Sequence, residues 1–292
     1  MINYHTRLLS SFEETGNIVC MGLDPDLECL PFPELGKSER IVKFFSTLFS
    51  KMAEKGLIPS AFKPNIGYYS SLDVPFEGDY GGSKALSEII VMIRMLFPSS
   101  LIILDSKRGD IARSSQNYAD EAFSSWKADS VTVSPYMGAD SINPFKKEGK
   151  GFYVLCRTSN PGGADLQNQV LENGKPVYMA VAEKIVGWNE GSGSVGAVVG
   201  ATHMKELEDI VSYFAGNDVP ILVPGVGSQG GSAPDVLSSL KKAGYDARLC
   251  RINSSSGLTH PWKKKAKEAP ENWLDLSLDN ISKLISECTI DG

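Results

Sequence analysis

The chain has 292 residues, of which 42% are hydrophobic and 22% charged, and its formal net charge is −6. This composition is ordinary for a soluble enzyme, and an acidic balance without a basic stripe argues against nucleic acid or a membrane as partner. No run approaches the ~20 apolar residues that span a bilayer, and the N-terminus lacks the build of a signal peptide. The five cysteines are scattered without metal-type spacing, which favours reduced thiols and a cytoplasmic location.

Apolar runs bounded by turn residues alternate along the chain with segments of helical period. The predicted strands are 18–23, 60–64, 101–105, 130–133, 152–156, 196–199, 221–223 and 248–253. One of the helical stripes between them runs from Leu86 to Phe97 and is ended by Pro98. Eight strands alternating with helices predict one α/β domain over residues 1–292, a closed (β/α)8 TIM barrel, with a doubly wound open sheet as the competitor.

Three polar stretches that contain glycine are long enough to be functional loops, at residues 68–83, 158–175 and 188–194. Two of them begin directly after predicted strand ends. In a barrel the carboxyl ends of the strands form the active-site face, so we expect these two loops to border the site.

Charged residues directly follow the apolar run 101–104. In an extended strand Asp105 and Lys107 point to the same side, and Gly109 is expected to let the chain turn so that Asp110 returns to the same end of the barrel. A buried ion network gains little stability after desolvation, so a purely structural role is disfavoured and a catalytic one favoured.

Lys63 adds a second ammonium group at the end of the preceding strand, and Asn65 is expected on the same face because it lies two residues later. Opposite charges in a tight array keep carboxylates ionised and lysines protonated near neutral pH. Asp24 and Asn253 stand at the ends of the first and last strands.

The glycine-rich stretch 223–231 is the predicted phosphate-binding segment, because its backbone N–H groups can converge on an anion.

The pattern formed by Asp105, Lys107 and Asp110 resembles that of the orotidine 5′-phosphate decarboxylase family, and the setting is similar to its long-chain (type 2) branch. The stretches that carry the resemblance are 22–25, 62–65, 105–111, 157–161, 223–231 and Asn253. The acid-lysine-acid motif alone is shared with sugar-phosphate enzymes of the same superfamily, whereas the longer context 105–111 is much more specific.

The resemblance implies a cofactor-free and metal-free reaction in pyrimidine biosynthesis, in which orotidine 5′-phosphate loses CO₂ and becomes uridine 5′-phosphate. Lys107 would protonate C6, Asp105 would sit beside the departing carboxylate between Lys63 and Lys107, and Asp110 would reach across a homodimer interface into the partner's site. The substrate-binding residues that it implies are Asp24, Asn65, Ile111, Ser114, Thr158, Ser159, Pro224, Gln229, Asn253 and Ser256.

The chain departs from the family pattern at one position. The family usually carries an arginine shortly after the last strand's asparagine, where it clamps the phosphate, and the matching position here is Ser256. Arg251 is expected to sit too deep along the strand to replace it. A neutral contact is weaker than a charged bidentate one, so the phosphate grip is expected to be weakened while the chemistry stays intact.

Two other functions remain open from the sequence. The first is a metal-dependent lyase on the same frame that acts on a sugar phosphate. The second is a non-catalytic protein that binds uridine nucleotides.

Overall fold

The computed structural model of the protein describes residues 3–227 and 230–290. Within these residues eight strands pair in chain order, each parallel to its neighbours, and the first pairs with the last to close a barrel. The strands are β1 (Val19–Leu23), β2 (Ala61–Pro64), β3 (Leu101–Arg108), β4 (Ser130–Val133), β5 (Gly151–Arg157), β6 (Val195–Val199), β7 (Ile221–Val223) and β8 (Cys250–Ser254). The predicted TIM barrel is confirmed, and the open-sheet alternative is wrong.

The predicted strand bounds agree with the observed ones to within one residue, except in β3 and β8. β3 continues beyond Asp105 because Arg108 pairs again with Val133 of β4. β8 begins at Cys250 because Ala247–Leu249 forms a 3₁₀ turn, in which the Asp246 side chain accepts a hydrogen bond from the Arg248 N–H.

Helices follow the strands around the barrel and bury their apolar stripes against it. They are α1 (Tyr4–Thr15), α2 (Lys37–Glu54), α3 (Gly67–Ser70), α4 (Gly81–Leu96), α5 (Ala112–Asp120), α6 (Ala139–Ile142), α7 (Ala164–Gln167), α8 (Val177–Asn189), α9 (Met204–Phe214), α10 (Ala233–Lys242), α11 (Ser256–Thr259) and α12 (Trp273–Glu287). Ile89 and Ile93 of α4 belong to the same hydrophobic core as Ile102 and Leu104 of β3. This is the arrangement expected of strands covered by amphipathic helices.

The amino-terminal end of the barrel is filled by α1. The Tyr4 hydroxyl donates to Ser130 Oγ at 2.9 Å and shares a hydrogen bond with the Tyr153 hydroxyl. Gly151 must lack a side chain here, because a Cβ would lie 2.1 Å from the Tyr4 ring. Arg251 is fully buried and donates to the Leu8 carbonyl of α1, so it points away from the carboxyl ends of the strands, as expected.

The three predicted loops contain short elements and lie at two different ends of the barrel. Residues 68–83 include part of α3, the 3₁₀ turn Pro75–Glu77 and the start of α4, whereas residues 158–175 include the 3₁₀ turn Pro161–Gly163 and α7. These two follow β2 and β5. Residues 188–194 instead join α8 to β6, which places them at the amino-terminal end.

Candidate active site

The carboxyl ends of the strands surround a cavity of about 420 Å³, called here the central cavity. Its polar lining comprises Asp24, Lys63, Asp105, Lys107, Thr132, Thr158, Ser159, Asn160, Asn253 and Ser255. Its apolar lining includes Leu155, Val198, Leu222, Pro224 and Val226. A concave site of this volume with convergent polar groups is typical of a small-ligand site.

A three-residue ion network forms one wall of the central cavity. Lys63 Nζ lies 2.6 Å from Asp105 Oδ2, and Lys107 Nζ lies 2.6 Å from Asp105 Oδ1. The side chains of Lys63 and Asp105 are 6% and 8% exposed, whereas that of Lys107 is 49% exposed. The network therefore contains one buried ammonium group and one that reaches solvent.

Each charged group of the network stabilises the charged form of its neighbours. Burial alone would lower the pKa of Lys63, but the carboxylates of Asp105 and Asp24 outweigh it and raise that pKa. Burial would likewise raise the pKa of Asp105, yet the ammonium groups of Lys63 and Lys107 hold that pKa below its usual range. Asp105 is therefore ionised and Lys63 protonated at neutral pH, in agreement with the alternating charges of the sequence.

Lys107 sits in a β-bulge with an unusual backbone. Leu104 pairs with Val131 and Arg108 pairs with Val133, so three residues of β3 face a single residue of β4. The φ angle of Lys107 is +48°, in the left-handed region, which costs a non-glycine residue about 1–3 kcal/mol. Such strain persists when the surrounding structure imposes it, and it is concentrated at functional sites.

Gly109 directly follows β3, in the connection to α5. Its φ is not positive, and the left-handed residues around it are Lys107 and Ala112. Gly109 instead permits a close approach of two loops, because a Cβ there would lie 3.1 Å from the Ser134 Cβ.

Thr132 is the residue of β4 that faces the bulge, and it is not among the site residues predicted from the sequence. Its hydroxyl donates to Asp105 Oδ1 at 2.8 Å and accepts from the backbone N–H groups of Ser106 at 3.1 Å and Lys107 at 3.0 Å. A signal for it exists in the sequence, since Ser130 and Thr132 alternate with valines in an otherwise apolar strand.

Asp24, Asn253 and Ser255 line the central cavity at the carboxyl ends of the neighbouring strands β1 and β8. Asp24 Oδ1 and Ser255 Oγ are buried and have no hydrogen-bond partner among the described residues, whereas Asn253 Nδ2 donates to the Cys20 carbonyl at 3.0 Å. Buried polar atoms are ordinarily satisfied. The unpaired Asp24 oxygen is thus free to accept a hydrogen bond from a ligand hydroxyl group.

The loop after β5 is anchored by a fully buried arginine. Arg157 forms an ion pair with Glu206 of α9 and donates to the Thr158 carbonyl at 2.7 Å. Gln167 accepts from the Thr158 N–H at 2.9 Å. These bonds hold the predicted residues Thr158 and Ser159 at the wall of the central cavity.

Five predicted site residues within the described part of the chain do not line the central cavity, and one of them, Ser256, lines a neighbouring cavity. Asn65 continues the pairing of β2 with β3 by a parallel bridge to Asp105, and its Oδ1 accepts from the Gly67 N–H at 3.1 Å. Asp110 and Ile111 lie in the connection from β3 to α5, where Asp110 Oδ1 accepts from the Ile111 N–H at 2.7 Å, and Ser114 lies in the first turn of α5.

A second cavity, called here the outer cavity, adjoins the central one at Val226 and has a volume of about 760 Å³. Its lining includes Gly227 and Gly231 after β7, and Ser254, Ser256 and Gly257 at the end of β8 and the start of α11. Three lysines, Lys263, Lys264 and Lys283, also line it, together with Glu287, which lies 3.8 Å from Lys283. Ser256 is the first residue of α11. The predicted phosphate residue Gln229 lies outside the described residues.

Neither a metal cluster nor a membrane span is found in residues 3–227 and 230–290. No group of three or more His, Cys, Asp or Glu side chains there is placed to hold a metal ion. No helix in that part of the chain has the length and apolar character to cross a membrane.

Comparison with known proteins places these features in one family. The sequence matches the profile of the Orotidine 5′-phosphate decarboxylase / HUMPS family over residues 59–254. An orotidine 5′-phosphate decarboxylase from Cupriavidus metallidurans is 37% identical over 90% of this chain and 92% of its own length. The structure of Leishmania donovani OMP decarboxylase has 30% identity and a TM-score of 0.75, covering 98% of this chain and 97% of that one. The structure of L. donovani UMP synthase has 32% identity and a TM-score of 0.76, and this chain spans 56% of its length.

Proposed function

The chain belongs to the orotidine 5′-phosphate decarboxylase / HUMPS family, and on that premise we propose that it converts orotidine 5′-phosphate into uridine 5′-phosphate and CO₂ in pyrimidine biosynthesis. The observation that carries this proposal is the array of Lys63, Asp105 and Lys107 at the wall of the central cavity. An ionised carboxylate held between two ammonium groups suits a reaction in which a substrate carboxylate is lost and a proton takes its place.

In the proposed reaction the bond between C6 and the carboxylate breaks, CO₂ leaves, and the electron pair stays on C6 in an sp² orbital. The Lys107 ammonium group stabilises this charge because it is oriented before the reaction, and it then transfers a proton to C6. The difference in exposure favours Lys107 over Lys63 as the donor. Lys107 is half-exposed and can regain its proton from water, whereas Lys63 is buried and acts as a fixed charge.

The remaining predicted contacts arrange the substrate around this array. Asp24, with its unpaired oxygen, and Lys63 would hold the ribose hydroxyls, and Ser159 would meet the pyrimidine edge. Leu155, Val198 and Leu222 form an apolar surface in the same cavity, which strengthens the electrostatic interactions there by excluding water. Binding of the distant phosphate in the outer cavity would contribute to the rate at the reacting centre.

The proposed binding of the substrate phosphate near Ser256 leads to a prediction for this position. Ser256→Arg should lower the KM for orotidine 5′-phosphate by about tenfold with kcat nearly unchanged, because it adds a charge-assisted contact to the outer cavity. Steady-state kinetics would measure this, with Ser256→Ala as the control for loss of the serine alone. A KM for Ser256→Arg equal to that of the wild type would mean that Ser256 does not face the phosphate.

The proposal includes a homodimer in which Asp110 enters the partner's site. The loops after β3 and β4 adjoin at Gly109 and Ser134, and they expose apolar side chains. The exposed fraction is 54% for Ile111, 88% for Tyr136 and 50% for Met137. Exposed apolar side chains on adjoining loops are typical of a protein interface. We also propose a reducing compartment, the cytoplasm, because all five cysteines are free thiols.

Spectrophotometric turnover of orotidine 5′-phosphate in the presence of a chelator tests the proposed function. We expect loss of the orotate absorbance at the same rate with and without the chelator, and uridine 5′-phosphate as the product. Turnover that the chelator stops would instead indicate a metal-dependent lyase. Tight binding of uridine 5′-phosphate without any turnover would indicate a nucleotide-binding protein.

A further inference from the structure

We propose that Thr132 is a positioning residue for the reaction, and that its hydroxyl fixes the bulge from which Lys107 reaches the substrate. The inference rests on the proposed decarboxylation. It starts from the pairing of β3 with β4, in which Asp105, Ser106 and Lys107 face Thr132 alone. A bulge leaves backbone groups of the longer strand without ladder partners. Here the N–H groups of Ser106 and Lys107 turn to the Thr132 side chain instead.

The hydrogen bonds of Thr132 use the full capacity of a hydroxyl group. A hydroxyl has one donor and two acceptor lone pairs. Both lone pairs accept backbone N–H groups, so the proton must point to the remaining neighbour, Asp105 Oδ1. Because the pKa of Asp105 is held low, that carboxylate is an acceptor and the donated bond is charge-assisted.

One side chain thus connects the two halves of the catalytic pair. Thr132 bonds to the carboxylate of Asp105 and to the backbone of Lys107, and the Lys107 ammonium bonds to the same Asp105 oxygen. The left-handed φ of Lys107 is unfavourable by itself and needs a local partner to impose it. Without the hydroxyl the bulge can relax, and the ammonium then moves away from its place beside the scissile bond.

Two substitutions at Thr132, both close to threonine in size, test its role. Thr132→Ser keeps the hydroxyl, and Thr132→Val replaces it with a methyl group of nearly equal volume. We expect Thr132→Val to lower kcat by about 10²-fold, because a displacement of about 1 Å costs that much in a positioned reaction. Its affinity for uridine 5′-phosphate should stay within about threefold of the wild type, and Thr132→Ser should recover most of the lost kcat.

Exchange of the C6 hydrogen of uridine 5′-phosphate in deuterium oxide gives a second readout. It is the proposed proton transfer run in reverse, so it should fall in Thr132→Val in parallel with kcat. Ser130→Ala is the matched control, because it removes a buried hydroxyl from the same strand at the opposite end of the barrel. Both variants should lower the unfolding temperature, and the control should keep its kcat.

Several outcomes would overturn the role of Thr132 alone. These are a wild-type kcat in Thr132→Val, an equal loss of kcat in Thr132→Ser, or a loss of nucleotide affinity that matches the loss of kcat. If Thr132→Val does not fold, Thr132→Ala carries the same expectations, since it also lacks the hydroxyl. Failure of the wild-type enzyme to release CO₂ would instead refute the proposed function, which keeps the two failures distinct.

Discussion

Replacing Lys107 by alanine should abolish release of CO₂ from orotidine 5′-phosphate, with a fall in kcat/KM of at least about 10⁴-fold, because a proton donor and a pre-oriented charge are lost together. The fold should survive. The Lys107 side chain is half-exposed, and an ion pair of this kind contributes at most about 1 kcal/mol. Asp105 also keeps its bonds to Lys63 and Thr132. Single-turnover assays with circular dichroism and nucleotide binding would measure both expectations.

Lys205→Ala is the control for this experiment. Lys205 lies on α9, its side chain is 89% exposed, and its nearest carboxylate is 4.0 Å away. Its removal should leave kcat/KM unchanged. Substantial turnover by Lys107→Ala would contradict the proposed role of Lys107 as the C6 proton donor.

Chains that carry Asp110→Ala should restore activity when mixed with chains that carry Lys107→Ala. If Asp110 enters the partner's site, each mixed dimer contains one intact site and one site that lacks both groups. Random reassortment makes half of the dimers mixed, so activity should reach about a quarter of the wild-type value per site. The activity of the mixture against mixing ratio, after mild dissociation and reassociation, would measure this.

A mixture of two other variants is the control for this experiment. Lys107→Ala and Asp105→Asn chains carry their lesions in one proposed site, where Lys107 and Asp105 lie 2.6 Å apart, so mixing them should restore nothing. A mixture of Asp110→Ala with Lys107→Ala that stays as inactive as its components would show that Asp110 does not act across the interface.

The fold could be predicted from the sequence because a parallel barrel leaves a strong local signal. Strands buried on both faces are short continuous apolar runs, and the helices between them are amphipathic. The ion pair between Lys63 and Asp105 also followed from this pattern, although 42 positions separate the two residues, because the ends of neighbouring strands β2 and β3 meet. Which residues meet at the strand ends can thus be predicted when the order of the strands can be predicted.

The parts of the site that could not be predicted depend on local departures from regular strands. Alternation placed Asp105 and Lys107 on one side correctly, but it contained no hint of the left-handed residue through which they meet. Thr132 gains its importance from that bulge, and the alternation of Ser130 and Thr132 with valines marks a polar face of β4 without indicating that Thr132 binds Asp105. Alternation along β2 likewise contained no hint that Asn65 accepts a hydrogen bond from the Gly67 N–H and lies outside the lining of the central cavity.

Because Lys107 has a left-handed backbone, a substitution at this one position can raise thermal stability while it removes activity. A glycine there would adopt φ +48° without strain, and the half-exposed ion pair that it removes is worth little. Directed evolution that selects for thermal tolerance without an activity screen would therefore tend to discard the one side chain on which the proposed chemistry depends. Stabilising designs for this enzyme should keep position 107 fixed and seek their gains at the amino-terminal end of the barrel.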